Sequence, residues 1–301
     1  MTKVLKVFIA TSSFSENLDN TYRVKGNKKF KLIKNPIQKK LTGDQLIKYA
    51  KDCEYIIAGT ENYSKEIIDN LTSLKYLFRM GSGVDNIDIK YLKKKKIGFS
   101  KSKVTPEIAV AELIVGCILS FYRNLSEHDQ NLKNLIWQKK MGSVLNGKTL
   151  GIIGFGKVGR YLSKILKNFG VRVLINDNKK IRHTNTGLIK LIKNSDIISV
   201  NANLTNKKPL LCKNKLSLCK KNCLIVNTSR PELIDNEYLY ILLKNEKILG
   251  ACMDVFDKEP YYGKFTKLKN VLLTPHIGSY SKEIRSAMEK EALMSVINIK
   301  N

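Results

Sequence analysis

The stretch TLGIIGFGKVGR, Thr149 to Arg160, constrains the fold more than any other part of the chain. Its apolar, β-branched beginning predicts a strand. Glycines at 154, 156 and 159 then stand in G-x-G-x-x-G spacing where that strand would turn into a helix. Gly154 permits the tight turn. Gly156 has no Cβ, so a pyrophosphate can approach the backbone, and Gly159 lets helix pack on strand. The free N–H groups and the dipole at the helix start favour that anion. A further apolar strand, VRVLIN, ends at Asp177, whose carboxylate suits the adenosine ribose of NAD and repels the extra phosphate of NADP. Lys179 and Lys180 follow it closely. The expectation is an NAD site in which Phe155, Lys157 and Val158 complete the turn.

The segments around this turn alternate. KVFIA, YIIAG and LKYLFRMG predict strands, while TGDQLIKYAKD, SKEIIDNL and IDIKYLKKKK predict helices, in a first unit reaching about residue 100. Next comes TPEIAVAELIVGCILSFYRNL, Thr105 to Leu125. There Thr105 is expected to cap a helix, Pro106 to take its first position and Glu107 to complement its dipole. This helix is apolar on most sides, which predicts burial between domains or subunits. A polar connector with the lone Trp137 leads to the glycine-rich turn, and DIISVNA, NCLIVNTS, KILGACMDVF and NVLLTPH then predict further strands before a closing helix at about 281–299. Strands alternating with helices predict an α/β fold of doubly wound parallel sheets.

Composition narrows the function classes. The formal net charge is +28, but it comes mostly from lysines spread along the whole chain, with no recognisable nucleic-acid module, so a solvated surface is the simpler reading. No run of apolar residues is long enough for a membrane span. Lysines interrupt the first ten residues and no cleavage pattern follows, so a cytoplasmic location is expected. The six cysteines are scattered, and CKNKLSLCKKNC matches no common zinc spacing, so no metal site is expected.

In open parallel sheets, ligands bind beyond the carboxyl ends of the strands. Arg230 follows NCLIVNTS, Glu259 follows KILGACMDVF, and His276 sits in NVLLTPHIGSY. Singly, each has a bland explanation as a surface, ion-paired or turn residue. Together, downstream of a dinucleotide fold, they fit hydride transfer to a 2-keto acid. Arg can hold the carboxylate bidentately and polarise the carbonyl. His can protonate the developing alkoxide near neutral pH. Glu can orient the imidazole and favour its charged form. Pro275 and Gly278 would fix where the ring points.

These residues give the chain a resemblance to the D-isomer-specific 2-hydroxyacid dehydrogenases over nearly its whole length. It looks most like the short phosphoglycerate-dehydrogenase-like members without a regulatory domain. RMGSGVDNID, GIIGFGKVGR, NTSR, DVFDKEP and LLTPHIGSY carry the match. The resemblance implies two Rossmann- or flavodoxin-like domains with a cleft between them: a substrate-binding part at 1–100, an NAD-binding domain at 101–277, and a helix at 278–301 returning to the first. It implies Arg230, Glu259 and His276 as catalytic, and Ser82, Gly83 and Arg230 as substrate-binding. Asn203, Thr228, Ser229, Asp254, His276 and Gly278 would join the glycine-rich turn and Asp177 in holding NAD. A homodimer burying the long helix is also implied.

Four positions depart from the family pattern. Pro231 stands where Gly usually follows the catalytic Arg, Asn201 and Asn203 replace a usual His and Pro, and Glu61 lies about where phosphoglycerate enzymes place an Arg for the phosphate. The leading substrate pair is 3-phosphoglycerate/3-phosphohydroxypyruvate, with glycerate/hydroxypyruvate or another unphosphorylated acid next. The alternative of another class is an NAD(H)-sensing binding protein on the same fold, which the absence of a peptide-docking extension disfavours.

Overall fold

The computed structural model describes residues 4–14, 21–24, 28–81, 83–179, 185–203 and 208–299. The chain divides into two compact units, one of Met1–Thr105 with Ser281–Asn301 and one of Pro106–Tyr280, against borders of 100 and 277 expected from sequence.

Unit 1 runs β1 (Val4–Ile9), β2 (Thr21–Val24), β3 (Lys28–Lys34), α1 (Gly43–Ala50), β4 (Tyr55–Ala58), α2 (Lys65–Asn70), β5 (Tyr76–Arg79), α3 (Ile89–Lys94) and β6 (Gly98–Lys101). The strands form one sheet in the order β2-β3-β1-β4-β5-β6. All pairings are parallel except β2 with β3, an antiparallel edge hairpin that the sequence pattern did not announce. Lysines mask β3: Phe30 and Leu32 point inward while Lys31 faces solvent, as the strand period requires. Helix α1 starts with a capping box. The Gln45 amide N–H donates to the Thr42 hydroxyl, and the Thr42 N–H donates to the Gln45 side chain.

Unit 2 opens with α4 (Glu107–Tyr122) and α5 (Leu125–Lys133). Here one expectation needs correction: Pro106 occupies the N-cap rather than the first helical position, which leaves Thr105 one residue before the cap. The polar connector contains α5. The remaining elements are β7 (Thr149–Ile153), α6 (Lys157–Lys167), β8 (Arg172–Asn176), α7 (Leu188–Asn194), β9 (Ile197–Val200), α8 (Lys213–Leu216), β10 (Leu224–Asn227), α9 (Asn236–Lys244), β11 (Gly250–Met253) and β12 (Val271–Leu273). Their sheet is wholly parallel, ordered β12-β11-β10-β9-β7-β8. Strands β7, β9, β10 and β11 are buried along their whole length, because helices cover both faces. Val110, Ala111, Ile114 and Ile118 of α4 pack with Leu162 and Leu166 of α6 on one face, and Leu191, Leu239 and Leu243 pack on the other.

The last helix, α10 (Lys282–Ile297), packs on the sheet of unit 1, burying Met288, Ala292, Leu293 and Val296 among Leu5, Val7 and Phe30. Its Glu291 accepts hydrogen bonds from the Ser102 hydroxyl, from the Lys103 N–H at 2.8 Å and from the Val104 N–H at 3.3 Å.

Candidate active site

The sheet of unit 2 changes winding direction between β7 and β9, and the strand exits there are where a doubly wound sheet receives its ligand. The glycine-rich turn occupies this point. Gly154 has φ +93°, and a Cβ on it would lie 2.7 Å from the Asn201–Ala202 backbone leaving β9. A Cβ on Gly159 would lie 2.4 Å from the Gly154 carbonyl, so helix and strand approach too closely for any side chain. Gly156 differs: nothing stands within 4 Å of its Cβ position. That open space lies at the start of α6, which carries no side-chain cap. Asp177 reaches back from the end of β8, accepting from the Phe155 N–H at 2.6 Å and the Lys179 N–H at 2.8 Å. Two buried acceptors nearby on neighbouring strand exits, Asn201 Oδ1 and Thr228 Oγ1, have no hydrogen-bond partner among the described residues. An open cradle at Gly156, a fixed carboxylate and two unmet buried polar atoms fit a dinucleotide. Asn203 is exposed beside this end of the sheet.

The turn after β10 is organised by Asn227, which is fully buried. Its Oδ1 accepts from the Ser229 N–H at 3.0 Å, and its Nδ2 donates to the Arg230 carbonyl at 2.9 Å. The Ser229 hydroxyl donates to the Val200 carbonyl at 2.7 Å, tying the exits of β10 and β9 together. Ser229 thus braces the two strand exits at which the cofactor is expected. Pro231 is accommodated without strain. It opens a short 3₁₀ turn, Pro231–Leu233, where its missing N–H is no loss, and Arg230 before it is extended at φ −141° and ψ 137°. Sequence reasoning missed Asn227, although an Asn at a strand end before a turn is a recognisable Asx signal.

His276 occupies the corner after β12 in the left-handed region, at φ +56°. Its Nδ1 lies 3.0 Å from both carboxylate oxygens of Glu259. The Phe256 N–H donates to Glu259 Oε1 at 3.2 Å, fixing the carboxylate from behind. The backbone conformation is enforced by Asp254, which is 1% exposed. It accepts from the Thr274 hydroxyl at 2.7 Å, the Ile277 N–H at 2.8 Å and the Gly278 N–H at 2.9 Å. Burial raises the Asp254 pKa, and these donors together with His276 hold the rise down. Both oxygens of Asp254 therefore serve the corner. A Cβ on Gly278 would come within 3.2 Å of one of them, so Asp254 and Gly278 anchor the corner that carries His276.

Gly83 belongs to unit 1, in the turn after β5, and Ser82 lies outside the described residues. Among the described residues no cluster of His, Cys, Asp or Glu could hold a metal ion, and no single helix is long and apolar enough to cross a membrane.

A parallel sheet with a glycine-rich turn at its switch point, together with a His–Glu pair at the exits of β11 and β12 of the same sheet, defines a dinucleotide-dependent oxidoreductase. Residues 115–278 match the family model for the D-isomer specific 2-hydroxyacid dehydrogenase, NAD binding domain. A glyoxylate reductase of Thermococcus litoralis is 34% identical over 79% of this chain and 77% of its own length. A D-3-phosphoglycerate dehydrogenase of Methanocaldococcus jannaschii is 34% identical over 82% of this chain, which spans only 50% of that longer relative. Among solved structures, the D-lactate dehydrogenase of Escherichia coli superposes with a TM-score of 0.81 at 26% identity, covering 98% of this chain and 96% of its own. The chain belongs to the D-isomer specific 2-hydroxyacid dehydrogenase family. It is an NAD-dependent oxidoreductase of 2-hydroxy acids, and unit 2 carries its NAD-binding domain.

Proposed function

We propose that this protein reduces a small, unphosphorylated 2-keto acid of glyoxylate or hydroxypyruvate size to the D-2-hydroxy acid, with NADH as reductant. The observation that carries the reading is the His276–Glu259 pair, 3.0 Å apart and fixed on a clamped corner. NADH supplies the hydride. With Nδ1 turned to Glu259, the other ring nitrogen of His276 is left to deliver the proton that the reduced carbonyl oxygen needs. Glu259 favours the protonated ring by charge and by hydrogen bond. Arg230 binds the substrate carboxylate and polarises its carbonyl. The turn from Gly154 to Gly159, with Phe155, Lys157 and Val158, holds the pyrophosphate, Asp177 receives the adenosine ribose, and Thr228 meets the cofactor at the next strand exit. Unit 1 supplies the substrate-binding turn that includes Gly83.

The size class rests on Glu61, an acid at a strand exit of unit 1, and on the glyoxylate reductase relative. The phosphorylated substrate, the leading expectation from the sequence, is here the second reading, favoured by the likeness to a D-3-phosphoglycerate dehydrogenase. We further propose a homodimer. Leu132, Leu135, Ile136, Trp137, Met141 and Val144 are exposed large hydrophobics within one short segment, and Leu135 and Met141 are 95% and 94% exposed. Such a patch calls for a partner, and a second copy of the same surface is the simplest one. Initial rates of NADH oxidation at 340 nm with glyoxylate, hydroxypyruvate, pyruvate and 3-phosphohydroxypyruvate test the function. Turnover should be fastest with an unphosphorylated acid; tight NADH binding without turnover on any acid would refute the enzyme reading.

A further inference from the structure

A cavity of about 300 Å³ opens in unit 2 between the start of α9 and the chain that runs from the end of β11 to Phe265. Neither the glycine-rich turn nor Arg230, Glu259 or His276 lines it, so it is separate from the site described above. Its volume is at the lower end of the range for small-molecule sites, roughly 300 to 1,000 Å³. One wall is aromatic. The Phe256 and Tyr261 rings stack with centroids 4.2 Å apart and planes 17° apart, and Phe265 tilts against Tyr261 at 6.3 Å. Gly263 lets the Tyr261 ring lie against the backbone, for a Cβ there would lie 2.6 Å from the ring and its hydroxyl. The Phe265 N–H donates to that hydroxyl at 3.2 Å, which fixes the ring.

The polar lining is short of donors. Asn236 Nδ2 donates to the Pro231 carbonyl at 3.2 Å and to the Asp257 carboxylate at 3.3 Å. Both partners only accept, so the orientation of the amide is settled. Its Oδ1 is buried and has no hydrogen-bond partner among the described residues. A buried acceptor left unmet calls for a donor. Asp257 and Glu237 add two exposed carboxylates, and Lys264 is the one cation among the lining residues. Its ammonium pairs with Glu237 and lies 4.7 Å from the centroid of the Tyr240 ring. This corner thus already accommodates an ammonium between a carboxylate and an aromatic face. Two carboxylates against one ammonium leave the lining net negative, on a chain whose formal net charge is +28.

We propose that this cavity binds a small organic cation that carries N–H donors, a guanidinium or a primary ammonium, between Asp257, Asn236 and the aromatic wall. The Asp257 carboxylate meets the charge, Asn236 Oδ1 takes an N–H, and the ring faces favour a cation over a neutral or anionic group. The test is a saturation-transfer NMR titration of protein loaded with NAD⁺, so that the dinucleotide site is filled. The probes are n-butylguanidinium and the neutral n-butylurea, which has a similar shape. The wild type should bind the guanidinium at least about 10-fold tighter than the urea, the difference that a charged hydrogen bond makes. Asp257→Asn keeps an acceptor for the Asn236 amide but removes the charge, and should weaken guanidinium binding at least about 5-fold. Asp257→Lys should abolish it. Asp257 is exposed, so both variants should melt near the wild-type temperature, and Phe256 is left intact because its N–H holds Glu259. Equal affinity for the guanidinium and the urea, or wild-type affinity in Asp257→Asn, would overturn the proposal.

Discussion

At the scale of single residues, Asp254 shows how a buried acid can fix the backbone corner on which His276 stands. Three donors converge on its carboxylate, two of them backbone N–H groups just past His276. A non-glycine residue at φ +56° costs free energy unless its surroundings enforce it, and these bonds do so. Asp254→Asn turns an amide NH₂ toward N–H donors. It should lower stability by about 1–3 kcal/mol and reduce kcat about 10- to 100-fold, since a misplaced general acid loses effect. The Kd for NADH should stay near wild type. Denaturant titration, steady-state kinetics and NADH titration check the three parts. Pro275-His276 and Gly278 announce a stiff corner in the sequence. The clamp itself was not legible there, because Thr274, Ile277 and Gly278 meet Asp254 only when β11 and β12 pair.

At the scale of elements, the glycine-rich turn separates two roles that its spacing alone merges. Gly154 and Gly159 face backbone atoms, whereas Gly156 faces open space. Gly159→Val should therefore destabilise the protein by about 1–3 kcal/mol through overpacking. Gly156→Val should leave the melting temperature near wild type but weaken NADH binding at least about 10-fold. Equal loss of stability in both variants would contradict the division. The closing helix offers a pH test. Burial tends to raise the Glu291 pKa, but the Ser102 hydroxyl and the N–H groups of Lys103 and Val104 outweigh it and set it below the ordinary value. A lowered carboxyl pKa gives stability that is present above the unfolded value, about 4.3, and is lost as pH falls through the folded value. The stability gap between wild type and Glu291→Gln should thus be constant near neutrality and close as pH drops below about 4. Apolar elements such as β7, β9, β10 and β11 were legible because full burial leaves a continuous hydrophobic run. The β2–β3 pairing was not, since lysines alternate with the inward Phe30 and Leu32 along β3 and disguise it.

At the scale of the whole molecule, the fold and the strand-exit residues of unit 2 are those of an NAD-dependent dehydrogenase of 2-hydroxy acids. The apolar segment around Trp137 adds an assembly prediction. Leu135→Asp combined with Met141→Asp should convert a dimer into a monomer in sedimentation velocity, and the fluorescence of Trp137, the chain's only tryptophan and 82% exposed in the single chain, should shift to the red. The family was legible from a few motifs, whereas the substrate was not, for the relatives that share those motifs include both a glyoxylate reductase and a D-3-phosphoglycerate dehydrogenase. The most direct test of the central claim is the His276→Gln variant, compared with wild type for kcat on its best keto acid and for Kd of NADH. A fall in kcat of about 10²- to 10⁴-fold with unchanged NADH affinity is expected. Wild-type turnover in that variant would contradict the assignment of His276 as the proton donor.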